Sequence, residues 1–334
     1  MRKLLYFLLR RPLTWLAQFT GSPDKEAVFR SLGRLYKSSD KKKGRVITLN
    51  MGEVGDKYIV FSDQHKGNGD NGDDFRNSEA NYIAALNHYR KQGYIFINLG
   101  DSEELWKYQA EKVLPECKDS FAAEAAFQAG NNYIKVFGNH DVMWKNNMDV
   151  ERLLKPYFAM PLPVYEAVLL KTIVNSKPLN IFLTHGHQGD TMSDNNPLST
   201  WLVAHLWAPL QRYLNINVNA PSTDSTLRNK HNRIMYQWSS NRKNVLLITG
   251  HTHQPVFASG RYSNHPSNQF DTPETTPRPT YFNTGCCCFS DGDITGIEIA
   301  DGHIRLVKWY DEGTASFRKV LEEKTLGDLI DDLD

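Results

Sequence analysis

The sequence predicts a layered α/β fold, and three observations carry that expectation. Short apolar runs rich in Ile, Val, Leu and Phe recur along the chain, at Tyr58–Phe61, Ile95–Leu99, Ile134–Phe137, Ile181–Leu183 and Val245–Ile248. Segments of helical period lie between several of them, near 76–92, 119–130 and 225–242. Short buried strands separated by helices are the pattern of α/β layers. Each run also opens directly into polar residues: Ser-Asp-Gln-His, Gly-Asp, Gly-Asn-His-Asp, Thr-His-Gly-His and Thr-Gly-His-Thr-His in turn. Functional groups in such folds collect beyond the carboxyl ends of the strands.

The chain of 334 residues begins with a basic arm. Residues 1–45 hold twelve Lys/Arg against three Asp/Glu, net +9; the rest hold 27 against 35, net −8. Such asymmetry suggests a docking segment for an anionic surface. The apolar run Leu4–Leu9 stops at Arg10 and Arg11 and no small-residue cleavage site follows, so it reads as neither a secretory signal nor a spanning helix. Leu4, Leu5, Phe7, Leu8, Leu9, Leu13, Trp15, Leu16 and Phe19 beside Arg2, Lys3, Arg10 and Arg11 have the composition of helices lying in a membrane interface. Packing of residues 1–20 on the body or on a partner is the plainer alternative. Lys41, Lys42, Lys43 and Arg45 read as a solvated linker.

The main domain is expected over 45–313. Within it, 190–243 reads as a mostly helical insert between two site-bearing strands, and Trp201 and Trp207 in it as core residues. The Pro-rich, polar stretch 259–279 reads as a loop. Alternation through Ile294, Ile297 and Ile299, then Ile304, Leu306 and Val307, with Asp301-Gly302 between, predicts a hairpin. Residues 314–334 read as an acidic, weakly helical tail, and 1–44 as a separate basic amphipathic segment. The four cysteines, Cys117 and the run Cys286, Cys287 and Cys288, offer no spaced framework for disulfides and no CxxC. They fit a reducing, cytoplasmic compartment, and Cys286–Cys288 read as small buried residues rather than ligands.

Six of the eleven histidines fall in the five polar motifs: His65, His140, His185, His187, His251 and His253. With Asp63, Asp101 and Asn139 they make a set of nitrogen and oxygen donors that suits Mn, Fe, Zn, Co or Ni and fits Ca poorly. Asp63 and His65 are two apart, as are His251 and His253, which on an extended segment puts each pair on one side. A solitary Asp-x-His is usually an accident of surface composition. Five such accidents at successive strand ends are improbable. Asp70, Asp73 and Asp74 read as a solvated loop, and Asp291-Gly292-Asp293 as a turn.

The ordered series D-x-H, G-D, G-N-H-D, H-G-H and G-H-T-H resembles the calcineurin-like metallophosphoesterase superfamily over about residues 45–310. The resemblance implies a four-layer α/β/β/α sandwich. It implies two divalent transition-metal ions (Mn, Fe or Zn), one held by Asp63, His65 and His253 and the other by Asn139, His185 and His251, with Asp101 bridging. It implies that water activated by the ions attacks phosphorus. His140 would not bind metal but would contact the phosphoryl group or protonate the leaving oxygen, and Asp141 would orient that imidazole. His187 is left between a substrate contact and structural packing.

The substrate class is therefore a phosphoester or phosphoanhydride. Gly100-Asp101-Ser102-Glu103-Glu104-Leu105-Trp106 resembles the segment around the bridging Asp in the UDP-diacylglucosamine pyrophosphatases of lipid A synthesis. That likeness and the basic arm point to a lipid-linked substrate, with the protein peripheral on the inner face of a membrane. The alternatives are a soluble nucleotide phosphodiesterase and, in another class, a non-catalytic scaffold on the same fold. Nucleic acid is not an expected partner, because the body is net negative.

Overall fold

Two β-sheets face each other across an apolar core in the computed structural model, which describes residues 23–39, 45–52, 56–189, 225–258, 278–313 and 315–333. The expected arm at 1–20, the lysines at 41–43, most of the 190–243 insert with Trp201 and Trp207, and most of the 259–279 loop lie outside the described residues.

In chain order the strands are β1 (Val46–Asn50), β2 (Tyr58–Phe61), β3 (Ile95–Leu99), β4 (Tyr133–Val136), β5 (Val164–Tyr165), β6 (Ala167–Val174), β7 (Lys177–Thr184), β8 (Val245–Thr249), β9 (Tyr281–Asn283), β10 (Ile294–Ala300), β11 (His303–Glu312) and β12 (Ala315–Thr325). The longer helices are α1 (Lys25–Ser38), α2 (Glu79–Lys91), α3 (Lys118–Ala129), α4 (Ser225–Ser240) and α5 (Leu326–Asp332). One sheet runs β1-β6-β7-β8-β9 and the other β12-β11-β10-β2-β3-β4-β5.

Cover on both faces explains why the central strands read as largely apolar runs, with Asn98 of β3 and Lys135 of β4 as buried exceptions. Tyr58 and Val60 of β2, Ile97 and Leu99 of β3, and Ile134 and Val136 of β4 meet Val168, Leu170, Ile181, Leu183, Leu246 and Ile248 of the other sheet. The alternate residues face outward onto helices. Ile59, Phe61 and Phe96 pack on Tyr82, Leu86 and Tyr89 of α2 and Phe127 of α3. Leu169, Phe182, Val245 and Leu247 pack on Val28 and Leu32 of α1 and Met235 and Trp238 of α4. The result is helix, sheet, sheet, helix: the expected four layers.

Two boundaries differ from the sequence reading. Residues 25–38, placed in a separate N-terminal segment, form α1 and belong to the body. Asp24 caps the helix by accepting from the Ala27 N–H at 2.7 Å, and Val28, Leu32 and Leu35 are buried. The expected weakly helical tail is instead strand β12 over Ala315–Thr325, with only Leu326–Asp332 helical. β12 pairs antiparallel along the whole of β11, and its arginine Arg318 donates to the buried carboxylate of Glu298 at 3.1 Å. A ten-residue β11 needs a partner for its backbone groups, and that need overrides the charged composition of 315–325. The Asp301-Gly302 hairpin is present, with β10 paired to β11 and both turn residues at positive φ. Among the described residues, no helix is long and apolar enough to cross a membrane.

Candidate metal centre

Strands β2, β3 and β4 are mutually parallel, as are β7 and β8. Their carboxyl ends therefore deliver the five polar motifs to one edge of the sandwich. Backbone bonds stitch the motifs together there. The Asp63 N–H donates to the Gly100 carbonyl at 3.0 Å, that of His65 to Asp101 at 3.0 Å, and that of Gly250 to His185 at 2.9 Å. The two sheets join at the His251 N–H, which donates to the Asp63 carboxylate at 2.9 Å.

Asp63, His65, Asp101, His251 and His253 all have φ between 50° and 68°. This left-handed conformation is uncommon for residues other than glycine and costs about 1–3 kcal/mol each. The extended pincer expected for Asp63/His65 and His251/His253 is thus corrected: tight left-handed turns, not strand geometry, aim each pair inward. Close approach also dictates two glycines. A Cβ at Gly138 would overlap the Asp101 carboxylate, and one at Gly250 the Asp63 carboxylate and the Ser62 hydroxyl.

The donors gather in two adjoining sets. In one, His253 Nε2 lies 3.3 Å from Asp63 Oδ1 and 3.0 Å from His65 Nε2. In the other, His185 Nε2 lies 3.0 Å from Asp101 Oδ2, and these atoms share a cluster with His251. Asp101 Oδ2 sits between the sets, 3.8 Å from His65 Nε2. Asn139 is buried beside them, its neighbour His140 donating its N–H to Asp101 Oδ1 at 2.8 Å. Asn139 Oδ1 and His251 Nε2 are buried without a hydrogen-bond partner, and His185 Nε2 has the Asp101 carboxylate against it. Orphaned lone pairs of this kind are costly, and a cation would satisfy both. The donor set therefore fits divalent metal ions.

The charges agree. Burial alone would raise the carboxyls of Asp63 and Asp101, yet imidazoles, His185 foremost, outweigh it and hold both well below the usual carboxylate range. Burial alone would lower His185, yet Asp101 and Asp63 lift it to about 9. The buried carboxylates draw positive charge onto His65, His185 and His253, which bound cations would supply in place of the protons. His251 and His231 go the other way: burial, then His231 and His185, hold His251 well below the usual range, and burial, then His185, pushes His231 on α4 down to about 4.

Glu104 had no assigned role in the sequence, and the structure gives it one. His65 Nδ1–H donates to Glu104 Oε2 at 2.9 Å, and His140 Nδ1–H donates to Oε1 at 2.8 Å. One carboxylate thereby fixes the tautomer of two rings and leaves each Nε2 facing the centre. His185 is fixed likewise by donating from Nδ1 to the Leu99 carbonyl at 3.0 Å. Trp106 stacks on His140 with ring centroids 4.2 Å apart. Asp141, expected to orient His140, does not touch its ring. Its carboxylate accepts from the Ser102 N–H at 2.9 Å and the Gly138 N–H at 2.6 Å, pinning the Gly100 and Gly138 turns to each other. The sequence cue for Glu104 was its place three residues after Asp101; the distance to His140 was not legible.

Beneath the site runs a buried ion network. Lys135 Nζ donates to both oxygens of Glu103 at 3.1 and 3.0 Å, and Trp144 Nε1–H donates to Glu103 at 2.7 Å. Lys66 pairs with Glu124 and donates to Ser102 Oγ at 3.1 Å. These contacts anchor the turn that carries Asp101 and Glu104. Of the remaining candidates, His187 is buried with its ring 5.4 Å from that of His185, while Cys288 Sγ lies 3.8 Å from His253 Nδ1.

Residues 57–255 match the family model described as calcineurin-like phosphoesterase. The chain belongs to that family. Among curated proteins it has no match. Solved structures with some likeness include Vacuolar Protein Sorting 29 from Cryptosporidium parvum, at 14% identity and a TM-score of 0.36, covering 82% of this chain and 100% of that one. A 5'-nucleotidase from Candida albicans is similar at 13% identity and a TM-score of 0.30, covering 76% of this chain and 48% of that one. Both likenesses are too slight to bear on function. As a calcineurin-like phosphoesterase, the chain places Asp, Asn and His side chains beyond all five strand ends.

Proposed function

We propose that this chain is a dimetal-dependent phosphohydrolase that cleaves a phosphoester or phosphoanhydride. The observation that carries the reading is the meeting of Asp63, His65, Asp101, Asn139, His185, His251 and His253 at one edge, with the Asp101 carboxylate between two donor sets. Divalent ions held there would lower the pKa of water and neutralise phosphoryl oxygens. Asp63, His65 and His253 would hold one, Asn139, His185 and His251 the other, and Asp101 would serve both.

The chain's own contribution to the proton balance falls to His140. Glu104 fixes its Nδ1, so Nε2 faces the space over Asp101, 4.0 Å from Oδ2. From there it can hold a proton for the leaving oxygen. Trp106 stacked on the ring keeps it from turning away.

A lipid-linked or membrane-associated phosphate is the favoured substrate. Its support is the basic amphipathic composition of residues 1–20 and the likeness of Gly100–Trp106 to the UDP-diacylglucosamine pyrophosphatases. The test is turnover of a chromogenic phosphodiester by manganese-loaded protein, followed by comparison of a UDP-linked lipid, a cyclic nucleotide and a phosphomonoester. Wild type should turn over at least one, with the UDP-linked lipid fastest, and Asp101→Asn should turn over none. Metal-loaded wild type inactive on every phosphate ester would overturn the reading. Sedimentation with anionic liposomes tests the membrane element, and undiminished binding after deletion of residues 1–20 would refute it.

A further inference from the structure

We propose that Cys286, Cys288 and the outward nitrogen of His253 form a binding site for a thiophilic divalent cation, separate from the two positions around Asp101. The segment after β9 is pinned on both sides: the Cys287 N–H donates to the Asp63 carbonyl at 3.1 Å, and the Cys286 carbonyl accepts from the Thr295 N–H at 3.0 Å. Side chains alternate along it. Cys287 points into the core with Ile59, Phe61 and Ile294. Cys286 and Cys288 point the other way, toward His253, and the three donor atoms lie within 4.8 Å of one another. All four cysteines of the chain are free thiols.

Two sulfurs and an imidazole are a soft donor set, suited to Zn or Cd rather than Mn or Mg. Nothing in the Asp101 centre offers sulfur, so the two kinds of site select ions differently. Cys288 is only partly buried and gives the ion a way in. Binding exchanges two S–H bonds for two metal–sulfur bonds and releases two protons to solvent. His253 Nδ1 joins as third donor in the neutral tautomer that carries the ring proton on Nε2. The Nε2 of the same ring faces Asp63 and His65. Occupation of the thiol site therefore competes through one imidazole with retention of an ion at Asp63 and His65. This inference does not depend on the proposed hydrolysis.

The test is titration of the manganese-loaded full-length protein with Cd2+, reading the ultraviolet charge-transfer absorption of thiolate–cadmium bonds and the manganese released. Cd2+ replacing Mn at the nitrogen and oxygen donors gives no such band. One equivalent of band per chain is expected in wild type and in Cys117→Ser, with loss of manganese in step. Cys286→Ser/Cys288→Ser should abolish the band. Cys288→Ser alone, at the more open position, should lose at least half of it while still binding manganese, and so carries the test if the double variant fails to fold. No band in wild type, or a band of full amplitude in either Cys288 variant, would overturn the proposal.

Discussion

Glu104 accepts from two imidazoles with different tasks, one a candidate metal ligand and one the candidate proton donor. Glu104→Gln keeps the shape but can accept from only one ring, and its amide N–H2 opposes the other. The substitution should lower kcat and the affinity for manganese, each by about 10–100-fold; unchanged values of both would remove Glu104 from the assigned role. At this scale the candidate ligands were legible because their chemistry is in the residue type and its order: Asp, His, Asp, Asn, His, His, His at strand ends. Their conformation was not. Asp63, His65, Asp101, His251 and His253 adopt positive φ only because neighbouring turns hold them there, and no local pattern announces it. Exchange of Asp141 for Glu104 as the partner of His140 has the same origin, since it depends on contacts between two separate loops.

At the scale of elements, the buried pairs under the β3 turn make a pH-dependent contribution. Burial alone would raise the Glu103 carboxyl, but Lys135 and Lys66 bring it down to about 2. A carboxyl lowered on folding contributes stability above its ordinary range near 4, and that stability is lost as pH falls toward 2. Glu103→Gln should cost about 3–5 kcal/mol at neutral pH, because it leaves buried lysines facing an amide. Urea denaturation at several pH values should show the difference from wild type narrowing on acidification; a constant difference would contradict the ionised pair. Helix α1 supplies a second check. Leu32 is fully buried against the five-stranded sheet, so Leu32→Ala should cost about 2–5 kcal/mol, measured the same way. A cost near zero would return 25–38 to a detached arm.

Elements differed in how openly the sequence declared them. Strands β2, β3 and β8 stood out because burial on both faces leaves them almost wholly apolar, with only the buried Asn98 in β3 and the terminal Thr249 in β8 as polar residues. The β6–β7 hairpin turns through Asn175 and Ser176, both at positive φ, and the sequence does not announce it because Asn-Ser is a weak turn signal. β12 is an edge strand with exposed Lys319 and Glu323. Charges of that kind guard an edge against stray pairing, and for the same reason they make it resemble a solvated tail.

Across the whole molecule, the two sheets are what turn a list of candidate ligands into one cluster. One sheet brings Asp63, His65, Asp101 and Asn139, the other His185, His251 and His253, and neither set closes without the other. The layered class was readable because alternation of strands and helices leaves few ways to bury both faces. The stitching of the sheets through His251 and Asp63 was not, because it joins residues far apart in the chain. The most direct measurement is anomalous scattering from crystals of the manganese-loaded protein. Two peaks flanking the Asp101 carboxylate, one against Asp63, His65 and His253 and the other against Asn139, His185 and His251, are expected. A single peak, or peaks away from Asp101, would contradict a dimetal centre.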